Sequence, residues 1–135
     1  MYLLGVAHRR VQSSIRAHHG DATAAQAGVL FLLGKQDGSL VSDVARSLGM
    51  GLPGASGLVD RMVETGLVER RPDARDGRSS RLFLTKSGGA MRVVAQAAAT
   101  ELNTRLTTGF SERELDIVAR WLSHVGTQCS KEDQP

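Results

Sequence analysis

Between Gly66 and Thr85 the apolar pattern of this chain changes period, and that switch limits the possible folds more than any other feature. On both sides, apolar residues recur every three or four positions, the spacing of helices. Inside it, Leu67-Val68-Glu69-Arg70-Arg71 and Arg81-Leu82-Phe83-Leu84-Thr85 follow a period of two and read as short strands. The nine residues between them, Pro72 to Ser80, hold a proline, two aspartates, a glycine and two serines. That composition predicts a hairpin with a long, polar, charged tip.

The helical part divides at recognisable punctuation. Leu3, Leu4, Val6, Ala7, Val11 and Ile15 predict a first helix over 2–17, broken by Gly20-Asp21. Thr23 and Gln26 form a capping box for a second helix whose run Val29 to Leu33 is apolar nearly all round, so it should be buried. Asp37-Gly38 is a turn. Ser42 to Leu48 is a short helix stopped by Gly49. A fourth helix runs from Leu52 to Thr65, with Pro53 in its first turn and a stripe of Leu58, Val59, Met62 and Val63. Thr85 caps a long helix to about Thr108, with Met91, Val94, Ala98, Leu102 and Leu106 in register. Ser111 and Glu114 box the start of a last helix, ending near Val125. Residues 127–135 are polar and read as a disordered tail.

Composition narrows the class. The chain has 135 residues, 41% hydrophobic and 23% charged, which suits one globular domain. No apolar run approaches the roughly 20 residues that span a bilayer. No charged-then-apolar leader is visible, so a cytoplasmic protein is expected. One cysteine excludes an internal disulfide and a cysteine-built zinc cage. Aromatic residues are only 4%, so the core must be aliphatic.

The order of elements is a helix-turn-helix followed by a β-hairpin. The expected fold is mainly α (α+β): a winged helix-turn-helix with a two-stranded wing and long flanking helices. Such a unit lays its second helix in the major groove, and the hairpin tip can reach a neighbouring minor groove. Charge placement agrees. The whole net charge of +3 lies between Arg70 and Arg81, where five arginines face Asp73 and Asp76; the rest of the chain is neutral. A basic loop is the electrostatic footprint of nucleic-acid binding.

The stretch from Gly66 to Arg78, with Leu82-Phe83-Leu84-Thr85 after it, resembles the signature of the MarR family of transcriptional regulators. The resemblance extends through Val41-Ser42-Asp43-Val44-Ala45, Leu58-Val59-Asp60-Arg61-Met62 and Phe110-Ser111-Glu112-Arg113-Glu114-Leu115, and so covers nearly the whole chain as a single domain, 1–135. It implies a homodimeric regulator of transcription. Residues 23–85 would be the DNA-binding part, and 1–20 with 86–126 the dimerisation helices. Pseudo-palindromic double-stranded DNA would be the partner, and a small phenolic or anionic effector would release it. The Asp-x-Arg pair falls on Asp76 and Arg78. Arg78 would enter the minor groove, with Arg75 beside it. Asp76 would brace the wing by accepting from arginine side chains. Arg61 falls on a phosphate-contacting position, and Asp60 would position Arg61 or an arginine of the wing.

One departure stands out. The helix face that would meet the bases reads Pro53, Gly54, Ser56 and Gly57, and only Ser56 carries a hydrogen-bonding side chain. Direct major-groove readout should therefore be poor, leaving specificity to DNA shape and the wing. Gly51 replaces the usual polar cap of this helix. The competing reading is a winged helix used only as a protein-interaction module. Other patterns carry less. Gly49-Met50-Gly51-Leu52-Pro53-Gly54 matches G-x-G-x-x-G but lacks the preceding strand. His8, His18, His19 and His124 lack paired ligand spacing, and Cys129 lies in a polar tail, so neither metal nor cofactor is expected. No catalytic arrangement of Ser, His and carboxylate has support, so no enzyme is expected.

Overall fold

The computed structural model of the chain describes residues 1–18 and 23–132. These form α1 (Tyr2–His18), α2 (Ala24–Lys35), α3 (Val41–Leu48), α4 (Leu52–Glu64), β1 (Val68–Pro72), β2 (Ser80–Leu84), α5 (Lys86–Thr107) and α6 (Glu112–Glu132). The chain divides into two compact units, Met1–Ala99 and Thr100–Pro135, with the boundary inside α5. No described helix is long and apolar enough to cross a membrane. The expected break at Gly20-Asp21 lies outside the described residues.

The first unit is a winged helix-turn-helix. Its core joins Val29, Leu30 and Leu33 of α2, Val44 and Ala45 of α3, and Ala55, Leu58, Val59 and Met62 of α4 to Val68 of β1 and Leu82 of β2. The α4 set repeats at three- and four-residue spacing, so one face of that helix is buried and the opposite face is left to solvent.

Local chemistry explains the boundaries. Thr23 Oγ1 accepts from the Gln26 N–H and the Gln26 side chain accepts from the Thr23 N–H, closing the capping box of α2. Gly49 at φ 60° and Gly66 at φ 74° end α3 and α4 in the left-handed conformation that side chains disfavour. After α4, Leu67 N–H reaches Met62 O (2.9 Å) and Gly66 N–H reaches Val63 O (3.0 Å). That pair is a Schellman close, and it turns the chain directly into β1. The run Gly49 to Gly54 thus links two helices, not a strand to a helix.

The hairpin is antiparallel and pairs Val68 with Leu84 through to Pro72 with Ser80. Each strand is shifted one residue from expectation, so the loop is Asp73 to Ser79, shorter than the nine residues read from the sequence. Pro72 has no N–H to donate, and a ladder end tolerates that. The α2–α3 connection adds a second edge. Leu82 N–H donates to Ser39 O and Gly38 N–H donates to Leu82 O, both at 2.9 Å.

In the second unit, Ser111 N–H donates to Glu114 Oε2 (2.8 Å) and Glu114 N–H to Ser111 Oγ (3.4 Å). The Ser111 N–H, followed by the Ser111 hydroxyl, which also donates to Glu114 Oε2 (2.7 Å), holds the Glu114 carboxyl below its ordinary pKa. α6 does not stop near Val125 but continues to Glu132. No proline lies between Val125 and Glu132 to break it, and Thr127 Oγ1 donates back to Ser123 O (3.0 Å). The tail assigned to 127–135 is therefore helical as far as Glu132, and residues 133–135 lie outside the described set.

Gly88, in the first turn of α5, allows this helix to seat against the entrance to β1. A Cβ there would lie 1.9 Å from Leu67 O, a backbone atom that cannot rotate away. Gly88→Ala should therefore destabilise the fold by about 1–3 kcal/mol, as over-packing does. Urea unfolding against wild type and a Gly89→Ala control, where nothing lies within 4 Å, measures it.

Candidate nucleic-acid interface

Five arginines crowd the hairpin, and the structure separates them by what each touches. Arg70 on β1 is paired with Asp60 of α4, Nη2 to Oδ1 at 2.6 Å. This is the wing arginine that Asp60 positions, and the pair joins the wing to the exposed side of α4. Arg71 and Arg81 face each other directly across the ladder, an arrangement of like charges that opposes pairing. Each is neutralised locally. Arg71 Nε donates to Glu69 Oε1 (2.9 Å), and its guanidinium lies 4.2 Å from the centre of the Phe83 ring. Arg81 Nη2 meets Asp73 Oδ2 at 3.0 Å, while its Nη1 donates to Gly38 O at 2.8 Å.

Arg75 and Arg78 differ from these three. Both are exposed, and no described residue pairs with either guanidinium. Their backbones, by contrast, are fixed. Arg75 N–H donates to Asp73 Oδ1 and Arg78 N–H donates to Asp76 Oδ1, each at 3.0 Å. These are successive Asx turns, Asp73-Ala74-Arg75 and Asp76-Gly77-Arg78, and each presents an arginine two residues after its aspartate. Ser79 Oγ donates to Asp76 Oδ2 (3.1 Å), and Ser79 N–H closes onto Asp76 O (3.0 Å). The loop is thus ordered by its own acids while its two outermost cations stay unneutralised.

The bracing differs from the sequence expectation. Asp76 accepts from a backbone N–H and a serine hydroxyl, not from arginine side chains. Within the loop, the aspartate that holds an arginine side chain is Asp73, which sequence reasoning passed over. The second copy of the Asp-x-Arg spacing, at 73–75, was the signal that could have found it.

The exposed side of α4 presents Pro53, Gly54 and Arg61, with Ser56 and Gly57 half-buried. No described residue pairs with Arg61; its Nη1 lies 3.6 Å from where a Gly57 Cβ would stand, so it runs back along the helix surface. Gly51 caps α4 without a side chain, as its identity requires. Among the described residues, no three His, Cys, Asp or Glu side chains gather as a metal site. The His18 side chain and all of His19 lie outside those residues, and Cys129 is exposed.

This geometry coincides with a known sequence pattern, since the profile of the MarR family matches residues 21–79. Over those residues the chain is similar to the MarR family. The chain is 36% identical over 67 residues to YfiV, an HTH-type transcriptional regulator of Bacillus subtilis strain 168; the match covers 50% of the chain and only 42% of YfiV. Its fold matches the transcriptional repressor CouR bound to a 23-mer DNA duplex, with TM-score 0.82, 29% identity, and coverage of 92% of this chain and 89% of CouR. It also matches PcaV, a transcriptional regulator from Streptomyces coelicolor in complex with its natural ligand: TM-score 0.86, 20% identity, 93% and 89% coverage. The PcaV likeness is one of fold.

Asp73 provides a pH test of the wing. The Arg75 N–H, followed by the Arg81 guanidinium, holds its carboxyl below the ordinary value of 3.8. A depressed native pKa means that the unfolded chain binds the proton more readily. The stability Asp73 contributes is therefore full above the ordinary carboxylate range and is lost as pH falls through the lowered value. NMR titration of the Arg75 amide should follow this transition. In Asp73→Asn, the amide should lose that titration and Arg81 its ion pair, while the core signals hold.

Proposed function

We propose that this chain regulates transcription by binding double-stranded DNA as a homodimer, with α4 in the major groove and the hairpin tip in the adjacent minor groove. One observation carries the reading. Arg75 and Arg78 are exposed on an internally braced loop while the other three wing arginines are already paired. Two exposed guanidinium groups without an ion-pair partner, on a braced backbone, suit a polyanion, and a narrow minor groove concentrates negative potential. Arg78 would enter the groove, Arg75 would share the contact, and Asp76 would hold the loop in shape. Arg61 would bind phosphate. Pro53, Gly54, Ser56 and Gly57 would line the helix face against the bases.

The dimer reading rests on apolar surface. Leu106, Phe110, Ile117, Val118, Trp121 and Leu122 are all 44% exposed or more. Such a set on one small unit marks an association surface, and a second copy is the partner the family implies. Pseudo-palindromic sites follow from two-fold symmetry. The repressor role, and release by a small phenolic or anionic effector, rest on the family resemblance. A protein-interaction module is the second reading, favoured by the few hydrogen-bonding side chains on α4.

Two measurements test this. Arg78→Ala should weaken binding to a selected duplex by about 1–3 kcal/mol if the arginine reaches a base edge, and titration over a salt series reads it. Failure of wild type to bind duplex at low salt would favour the protein-interaction reading instead. Trp121→Asp places a charge on the exposed apolar surface and should shift the protein to monomer by light scattering. A dimer that persists would remove α6 from the interface.

A further inference from the structure

Among the described residues between 23 and 85, Leu52 is the one large apolar side chain left mostly in water, at 56% exposure. The others in that condition lie before residue 4 or after residue 92, where the proposed dimer would cover them. A lone exposed leucine is ordinary on a protein surface. Its position is what distinguishes this one: it is the first residue of α4. In a helix-turn-helix, the N-terminal residues of the second helix are those that meet base edges.

The rest of α4 narrows what the contact can be. The exposed and half-buried positions of its N-terminal half are Leu52, Pro53, Gly54, Ser56 and Gly57, without a charge among them. The charged residues, Asp60, Arg61 and Glu64, all fall in the C-terminal half. With Asp60 offset by Arg70, Arg61 is left to meet phosphate, so that end faces the DNA backbone and not the base edges. The uncharged end is therefore the one suited to enter the groove. Small residues beside Leu52 leave few atoms to hold the helix off the base pairs. The only apolar group on the major-groove edge of a base pair is the thymine methyl.

We propose that Leu52, with Pro53 beside it, reads thymine methyl groups in the major groove, so that the operator is specified by apolar contact more than by hydrogen bonds. This rests on the DNA-binding reading and supplies base discrimination that the hydrogen-bonding inventory of α4 lacks.

The test selects sites for wild-type protein from a random-sequence duplex pool, then replaces each thymine of the selected site by deoxyuridine. Deoxyuridine keeps the base-pairing edge and loses only the methyl. One position per half-site should show a loss of about fourfold, the factor that burying one carbon of this size corresponds to. Leu52→Ala should bind thymine and deoxyuridine sites equally, with an unchanged melting temperature because the side chain is exposed. Leu52→Met, which keeps an apolar reach, should retain the preference. Indifference of wild type to every deoxyuridine, or a preference that survives Leu52→Ala, overturns the proposal alone. A pool that yields no enriched sequence sinks the DNA-binding reading as well.

Discussion

Everything the hairpin does depends on Leu82. Its side chain is buried in the core that α2, α3 and α4 share. Its backbone is bonded to the α2–α3 connection at Gly38 and Ser39. An isolated two-stranded hairpin is marginal in water, and this one has only five residues per strand. The Leu82 anchorage, strengthened by Arg81 Nη1 on Gly38 O, makes the wing an extension of the helix-turn-helix. Ser39 is correspondingly buried, and its hydroxyl is satisfied by Gln36 O at 2.6 Å. A binding surface composed of α4 and the wing keeps one geometry only if this joint is rigid.

From that joint outward, charge is spent in two ways. On the strands, arginines are structural: Arg70 ties to α4, Arg71 covers Phe83, and Arg81 bridges Asp73 to the Gly38 carbonyl. Surface ion pairs of this kind each contribute little. Their combined effect is to choose one conformation for a loop with no core of its own. At the tip the logic reverses. The aspartates bind backbone N–H groups, so they order the loop while neither the Arg75 nor the Arg78 guanidinium forms an ion pair. A carboxylate on the backbone and a cation left in solvent give a fixed loop with outward positive charge. Hence the net charge of the segment, +3, understates how unevenly it is distributed.

That distribution also marks where the sequence stops being legible. Capping boxes at Thr23 and Ser111 involve partners three residues apart, and the glycine stops at Gly49 and Gly66 are set by one backbone torsion. Both are local, and both are visible in the residue string. The period-two strands were equally clear, apart from a one-residue shift that Pro72 permits. Pairings across 10 and 43 residues, Arg70 with Asp60 and Arg81 with Gly38 O, depend on which face each strand presents after packing. Composition cannot tell a paired arginine from an unpaired one. The length of α6 was hidden for a different reason. Polar residues such as Thr127 and Gln128 neither favour nor forbid a helix strongly, so polarity alone does not end one.

α4 illustrates the compromise between holding a helix and exposing it. Two glycines, Gly54 and Gly57, each cost about 1 kcal/mol relative to alanine in a helix interior. The N-cap contributes no side-chain hydrogen bond. What fixes the helix is its inward face: Ala55, Leu58, Val59 and Met62 are all buried at three- and four-residue spacing. Tertiary packing therefore carries a helix whose own residues would not, and it leaves the outer face free of stabilising duty. A surface relieved of that duty can be nearly bare of side chains, which is what a helix needs if its backbone is to lie close to another macromolecule.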